Sequence, residues 1–310
     1  MIIYQGDPSG WEAPPRGSAV AIGVFDGVHL GHRKVLSALQ EGDEGLTKVA
    51  MTFGTHPAAL LSSTGAPSRL STLKRRFELF EEVGIERVAV LGFDEQMRTM
   101  APSDFVQRFL VDGLDARCVV VGAGFHFGID ATGTTKTLRE IGERLGFKVT
   151  VVDIACDDRT EIRSTTIRTA IEEGDVVRAG AMLGRPYELE GIVVPGDERG
   201  RDLGVSTAKI SFPATLTVPK HGVYAVLVWI DGIEHRGVAN LGLHTTHGVS
   251  ADVLAVHVIG VERDLYGKQL RVGFVDRIRD EIEFTTTDDI ATQIQDDIET
   301  AKRISGDRAP

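Results

Sequence analysis

A change of period halfway along the chain constrains its fold more than any other feature. In the first half, short β-branched runs alternate with amphipathic segments. AVAIGV leads to HRKVLSALQ, KVAMTF to TLKRRFELFEEVG, RVAVLGF to PSDFVQRFLVDGL and RCVVVG to KTLREIGERLG, and KVTVVDI comes last. Near-continuous apolar runs of this length are strands covered on both faces, and the helices between them allow right-handed crossovers. The expected class is α/β with a doubly covered parallel sheet. Gly84 and Gly146 end two of the helices, and Ser103 is read as the cap of a third. RSTTIRTAIEEGDVVRAGAMLG adds helices without a further strand.

The second half reads differently. GIVVPG, STAKISF, GVYAVLVWI, HRGVANLG, VLAVHVIG and LRVGFVDRI are short strands with turn residues between them. That spacing predicts a small antiparallel β-barrel. TDDIATQIQDDIETAKRI closes the chain as a terminal helix, with Thr287 or Asp288 near its N-cap. A length of 310 residues suits two domains. The expected boundary lies near Gly184, dividing an N-terminal domain at 1–183 from a barrel domain at 184–310.

Composition narrows the function classes. A formal net charge of −11 argues against a protein whose main work is gripping a polyanion backbone, so no nucleic-acid partner is expected. Cys118 and Cys156 are the only cysteines and form no C-x-x-C pair, which leaves no structural zinc site from thiols and suits a reduced cytoplasmic compartment. The opening MIIYQGDPSGWEAPPRG has no basic segment leading into an apolar one, and no apolar run approaches the roughly 18 residues of a membrane span. No membrane partner is expected.

The chemistry concentrates in VFDGVHLGH, residues 24–32, where a strand turns into a helix. In open parallel sheets ligands bind beyond the carboxyl ends of the strands. Gly27 and Gly31 allow close backbone approach, and a helix starting near Gly31 offers free N–H groups and a positive partial charge. His29 and His32 beside such a terminus suit an anion better than a cation. Phosphate handling is therefore the leading reading, beside a metal reading with Asp26 as third ligand and a purely structural one. His244, His247 and His257 fit no common zinc spacing.

H-x-G-H at this place resembles the signature of the nucleotidyltransferase superfamily. With GVFDGVHLGH, TFGTHP, VGAGFHFG and RSTTIR in that order, the first half resembles the adenylyltransferase half of prokaryotic FAD synthetase. GRPYELEG, GDERGRDLG, PKHGVYAV, ANLG, VHV and DLYGKQLRVGF resemble the riboflavin kinase half of the same bifunctional family, so that the likeness runs from about Ala19 to Asp297. It implies a Rossmann-like nucleotidyltransferase domain followed by a riboflavin-kinase-like barrel.

For the first module the resemblance implies that His29, His32 and Arg168 act on the ATP phosphates. It makes Gly23, Phe25, Asp26, Gly27, Gly31, Arg163, Ser164 and Thr165 the nucleotide-binding set. His56, Pro57, Gly122, Gly124, Phe125 and Phe127 fall in the segments the family uses around its acceptor. The implied reaction is attack by the FMN phosphate on the α-phosphorus of ATP, with Mg²⁺ accompanying the nucleotide and flavin as substrate and product. Thr55 stands where the family has Pro, and Gly124 where it commonly has Asn or Asp.

For the second module the family's P-T-A-N becomes Ser206-Thr207-Ala208-Lys209, and its E-x-H becomes Ala255-Val256-His257. Thr207 is kept, but an ammonium at Lys209 has no lone pair for magnesium, and Ala255 lacks the carboxylate of a base. The expectation is ATP + FMN to FAD + pyrophosphate with riboflavin kinase activity lost or very weak. The alternatives are a different phosphorylated acceptor or nucleotide, a flavin- or nucleotide-binding regulatory protein, and a fully bifunctional enzyme. The sequence leaves a monomer or a homo-oligomer open.

Overall fold

The computed structural model describes residues 1–41, 45–61, 65–153, 155–157, 160–195, 207–246, 249–282 and 286–306. Packing divides the chain into two units, Met1–Pro67 with Thr72–Arg163, and Ser68–Ser71 with Ser164–Pro310.

The first unit is built on a six-stranded parallel sheet of order β1-β4-β3-β2-β5-β6. Its strands are β1 (Ile2–Gln5), β2 (Ser18–Ile22), β3 (Thr47–Phe53), β4 (Arg87–Leu91), β5 (Ala116–Gly122) and β6 (Lys148–Val152). Every residue of β2 is buried, as a central strand covered on both faces requires. Alternate residues serve opposite faces. Val20, Ile22, Val49, Met51, Val119 and Val121 join one core with Phe105, Leu110 and Leu138, whereas Ala19, Ala21, Ala50, Val88 and Val120 join another with Leu36, Leu79 and Phe80.

Around the sheet lie α1 (Leu30–Ser37), α2 (Ala58–Leu61), α3 (Leu73–Glu82), α4 (Glu95–Arg98), α5 (Pro102–Phe105) and α6 (Thr135–Leu145). A short hairpin, β7 (Cys156–Asp157) with β8 (Thr160–Glu161), follows the sheet. The chain steps outward from β2 through β3 to β4, then returns to place β5 on the other side of β2. The order thus reverses between β2 and β5, the topological switch point where open α/β sheets bind ligands.

One element goes beyond the expected set, and one local expectation is corrected. The opening segment supplies β1, an edge strand pairing parallel with β4. Only Tyr4 of its four residues is buried, and Ile2 and Ile3 are exposed. Ser103 does not cap its helix. Ala101 is the N-cap and Pro102 the first helical residue, where its fixed φ and missing N–H carry no penalty, while the Ser103 hydroxyl donates to Asp104 at 3.3 Å. That helix continues as a π-helical segment over Val106–Asp112.

The second unit holds a closed antiparallel barrel of order β10-β13-β12-β11-β14-β9. Its strands are β9 (Tyr187–Val194), β10 (Ala208–Ser211), β11 (Gly222–Ile230), β12 (Ile233–Thr246), β13 (Val249–Val258) and β14 (Gln269–Arg279). Leu189, Ile210, Tyr224, Val226, Ala239, Leu241, Leu254, Val256, Val272 and Phe274 are buried. On the other face, Ile298 and Ala301 of α9 (Thr287–Gly306) pack over Val223, Ala225, Val238 and Val275. The cap of α9 is Thr286, one residue before the expected pair, because its hydroxyl accepts the Asp289 N–H at 3.2 Å.

The same unit includes α7 (Ser164–Glu173) and α8 (Val176–Leu183). α8 buries Val176, Ala179, Met182 and Leu183 and packs against β9 and β14. Packing therefore changes hands between Arg163 and Ser164, ahead of the boundary expected near Gly184. Gly184 ends α8 in the left-handed conformation at φ 71°, and the strand pattern begins after it.

Candidate active site

The loop after β2 lies at the carboxyl end of the central strand and is bent out of ordinary backbone space. Phe25 has φ 53°, Gly27 φ 78° and Val28 φ 42°. Only glycine adopts that region freely, and a β-branched residue there is a true outlier. Such conformations persist where the surroundings over-determine them, and they cluster at ligand clamps. Phe25 and Val28 are buried, and the Phe25 ring packs edge-on against Phe80 at 5.7 Å. A side chain at Gly23 would meet that ring at 3.0 Å.

His29 is the N-cap of α1, its Nδ1 accepting the His32 backbone N–H at 3.2 Å. That bond puts the ring proton on Nε2 and makes this nitrogen a donor. The His29 and His32 rings stack 3.5 Å apart. Two imidazoles so close disfavour charging each other. Burial first, then the charges of His29 and Arg76, hold His32 well below the usual imidazole range, so it is neutral at pH 7. Among the described residues its buried Nδ1 has no hydrogen-bond partner. A side chain at Gly31 would crowd the His29 ring at 3.1 Å.

Asp26 is 2 % exposed, and its Oδ1 lies 3.6 Å from the Arg76 guanidinium. This pairing opposes the metal reading. Among the described residues no group of three His, Cys, Asp or Glu could hold a metal ion. Arg76 is the residue the sequence reading missed. It stands beside Arg75, which pairs with Glu78 and Glu82, and nothing in the doublet marks one as different. The available signal was periodicity: with Leu73, Phe77 and Phe80, position 76 falls on the apolar face of α3.

The loops after β3 and β5 flank this turn. His56 Nδ1 accepts the Ala58 N–H at 3.1 Å, and Pro57 follows it into α2. Gly122 ends β5, and its carbonyl accepts the Phe125 N–H at 3.0 Å. Phe125 stacks on Phe127 at 5.3 Å, and Phe127 also packs with Phe105 as part of the core. His126 turns its Nδ1 to the Gly124 carbonyl at 3.0 Å. A Cβ at Gly122 or Gly124 would meet nothing within 4 Å, so neither position demands glycine for space.

Arg163 lies in the first unit with its Nε donating to Glu161 at 2.6 Å. Ser164, Thr165 and Arg168 lie in the second unit, on α7. Arg168 is 8 % exposed, and its Nε donates to the Ser68 carbonyl at 2.5 Å.

On the barrel, Lys209 of β10 stands directly opposite Ala255 of β13, and Ala255 opposite Asn240 of β12. Directly opposed residues share a face. Neither Lys209 nor Ala255 offers an oxygen, so this pair does not fit magnesium. His257 shares the face of Ala255, whereas Asp252 alternates to the other face and accepts from His221 at 2.8 Å. Thr207 precedes β10 and is exposed. Ser206 and positions 196, 200, 201 and 204 lie outside the described residues, as do His247 and the side chain of His244.

Comparison with known proteins decides the family. The FAD synthetase family model matches residues 12–166, and the riboflavin kinase model matches residues 183–305. The bifunctional riboflavin kinase/FMN adenylyltransferase of Escherichia coli (strain K12) is 34% identical over 309 residues, 99% of this chain and 98% of that protein. The chain belongs to the bifunctional riboflavin kinase/FMN adenylyltransferase family.

The protein of the same name from Bacillus subtilis (strain 168) is 33% identical, covering 92% of each chain. A crystal structure of a macrolide-efflux protein from Streptococcus pneumoniae superposes with a TM-score of 0.89 at 28% identity, over 97% of this chain and 99% of that one. No helix among the described residues is long and apolar enough to cross a membrane. Both modules of the riboflavin kinase/FMN adenylyltransferase family are thus present, and the comparisons lend no support to a loss of the kinase activity. That expectation rests on Lys209 and Ala255 alone.

Proposed function

We propose that the chain transfers the adenylyl group of ATP to FMN, giving FAD and pyrophosphate. The observation that carries this reading is the strained loop after β2, which stacks His29 on His32 at the switch point of the sheet. A phosphate oxygen of FMN attacks the α-phosphorus in line, the P–O bond to the β-phosphate breaks, and pyrophosphate takes that electron pair. No general base is required, because a phosphate monoester is already ionised. Catalysis is then positioning plus stabilisation of charge on the α-phosphate.

His29 serves as an Nε2–H donor, its Nδ1 being occupied by the bond from the His32 N–H. His32 is held neutral and adds a second imidazole without a fixed cation. Ser164, Thr165 and Arg168 keep the role the resemblance gives them, two hydroxyls and a guanidinium for pyrophosphate. Magnesium enters with the nucleotide as Mg-ATP. The test is incubation of the full chain with Mg-ATP and FMN, with FAD followed by chromatography and pyrophosphate by coupled assay. FAD and pyrophosphate in equal amounts support the reading, and pyrophosphate release only with another phosphate monoester redirects it. The space at Gly124 favours that second acceptor reading.

For the barrel we propose riboflavin phosphorylation that is very weak or absent, because Lys209 faces Ala255 where a metal ligand and a base are wanted. We also propose that the nucleotidyl-transfer and barrel modules are separate domains of one enzyme acting on small molecules.

A further inference from the structure

We propose that Arg76 is a positioning residue for adenylyl transfer, one guanidinium that ties the loop after β2 to the carboxyl end of β3 and so holds the stacked histidines in place. The proposal rests on the adenylyltransferase reading of that site. Arg76 is 3 % exposed, on α3. Its Nη1 donates to the Val24 carbonyl at 3.0 Å, to Thr52 Oγ1 at 3.3 Å and to the Phe53 carbonyl at 3.3 Å. Its Nη2 lies 3.6 Å from Asp26 Oδ1. One side chain thus reaches the loop after β2, the carboxyl end of β3 and the carboxylate between the strained residues.

The Val24 carbonyl also accepts the Thr52 hydroxyl at 2.8 Å. Two donors on one oxygen fix the peptide plane that enters Phe25, the first residue of the left-handed stretch. A rigid planar fork suits this task, whereas a lysine would place one point charge among spread acceptors. The same cation lies close enough to disfavour a charge on His32. Arg76 therefore sets the shape of the loop and contributes to the protonation state of one of its histidines.

The test uses the full chain with Arg76→Lys, Arg76→Met and the double variant Asp26→Asn/Arg76→Met. The double variant removes both buried charges and guards against a folding failure caused by a bare carboxylate. Folding is followed by circular dichroism, kcat and KM for Mg-ATP with FMN as acceptor, and the His32 ring by nuclear magnetic resonance titration. The expected result for a folded Met variant is a kcat lower by about 10–100-fold with a much smaller change in KM, as expected for reacting groups displaced by about 1 Å. The His32 midpoint should move up. Arg76→Lys should keep the low midpoint and recover only part of kcat.

A folded Met variant with kcat within about twofold of the parent overturns the proposal, and so does a loss of kcat with the His32 midpoint unmoved. If neither Met variant folds, Arg76→Lys decides, and full activity there overturns the fork argument. If the parent chain does not adenylylate FMN, the reaction assigned to the site fails. The His32 midpoint in folded variants then still tests Arg76 by itself, and an unmoved midpoint overturns it.

Discussion

The loop after β2 and the face of the barrel around Lys209 are both polar sites on well-packed β frameworks, but they are built to different standards. In the loop, three successive positive-φ residues apart from Asp26 are locked by buried rings, a buried ion pair and a capping imidazole. At the barrel face, Lys209 and Ala255 simply oppose each other on regular antiparallel strands. Strain without compensating chemistry is costly, so its survival in the loop marks a place where geometry is needed. The barrel needs none of that at Lys209, which alternates with the buried Ile210 and so lies off the closed core.

The largest expected effect would break this contrast outright. Riboflavin with Mg-ATP should give FMN near background, and Lys209→Asn with Ala255→Glu should raise the rate by about 10²–10⁴-fold, the scale of a restored general base once the metal site is also repaired. Either change alone should recover little, since both act on one transition state. Chromatography of FMN decides. Parent-chain turnover at ordinary enzyme rates of about 1 s⁻¹ or more would show that other residues carry the kinase chemistry.

Next in size, His29→Ala or His32→Ala should lower adenylyl transfer by about 10²–10³-fold, the scale for removing one preorganised donor. Binding of Mg-ATP should fall less, as read by isothermal calorimetry. Near-normal turnover in both variants would reduce the loop to a structural feature.

A third measurement concerns the packing boundary. A fragment from Ser164 to Pro310 should fold and melt cooperatively, whereas one starting at Gly184 should melt lower or fail to fold. The second fragment lacks α8, whose buried Met182 and Leu183 alone are worth about 1.5–3 kcal/mol each. Equal melting temperatures would return the working boundary to Gly184.

The smallest effect is one of pH. The folded chain holds His32 below its unfolded range, so below about pH 6.5 the unfolded state takes up the proton first. The contribution is intact above that pH and is lost as pH falls towards the folded value, at no more than about 1.4 kcal/mol per pH unit. His32→Gln should flatten the acid limb of the urea stability profile. An identical slope in parent and variant would remove His32 from the account.

Some of this was open to reading along the chain. β2 to β6 and the six barrel strands follow from apolar runs whose period differs between the halves, because each strand in a two-sided core must be apolar throughout and each barrel strand only on alternate residues. The histidine pair was legible from its place between strand and helix. β1 was not, because a run of four residues, IIYQ, is too short to show a period. The role of Arg76 was not, because Arg75 beside it is the same residue type and also buried, and only the packing of α3 pairs one with Glu78 and Glu82 and the other with Asp26.

The sequence by itself determined the α/β and barrel classes, the order of their elements and the position of the H-x-G-H turn, all of which depend on local periodicity and on residues near one another in the chain. Tertiary structure decided what distance along the chain conceals. It set Lys209 across from Ala255, 46 positions away, by strand register. It brought Arg76 to the Val24 carbonyl, 52 positions away, by packing α3 beside the sheet. It placed α7 and α8 with the barrel because the apolar face of α8 needs a wall, and β9 and β14 supply one.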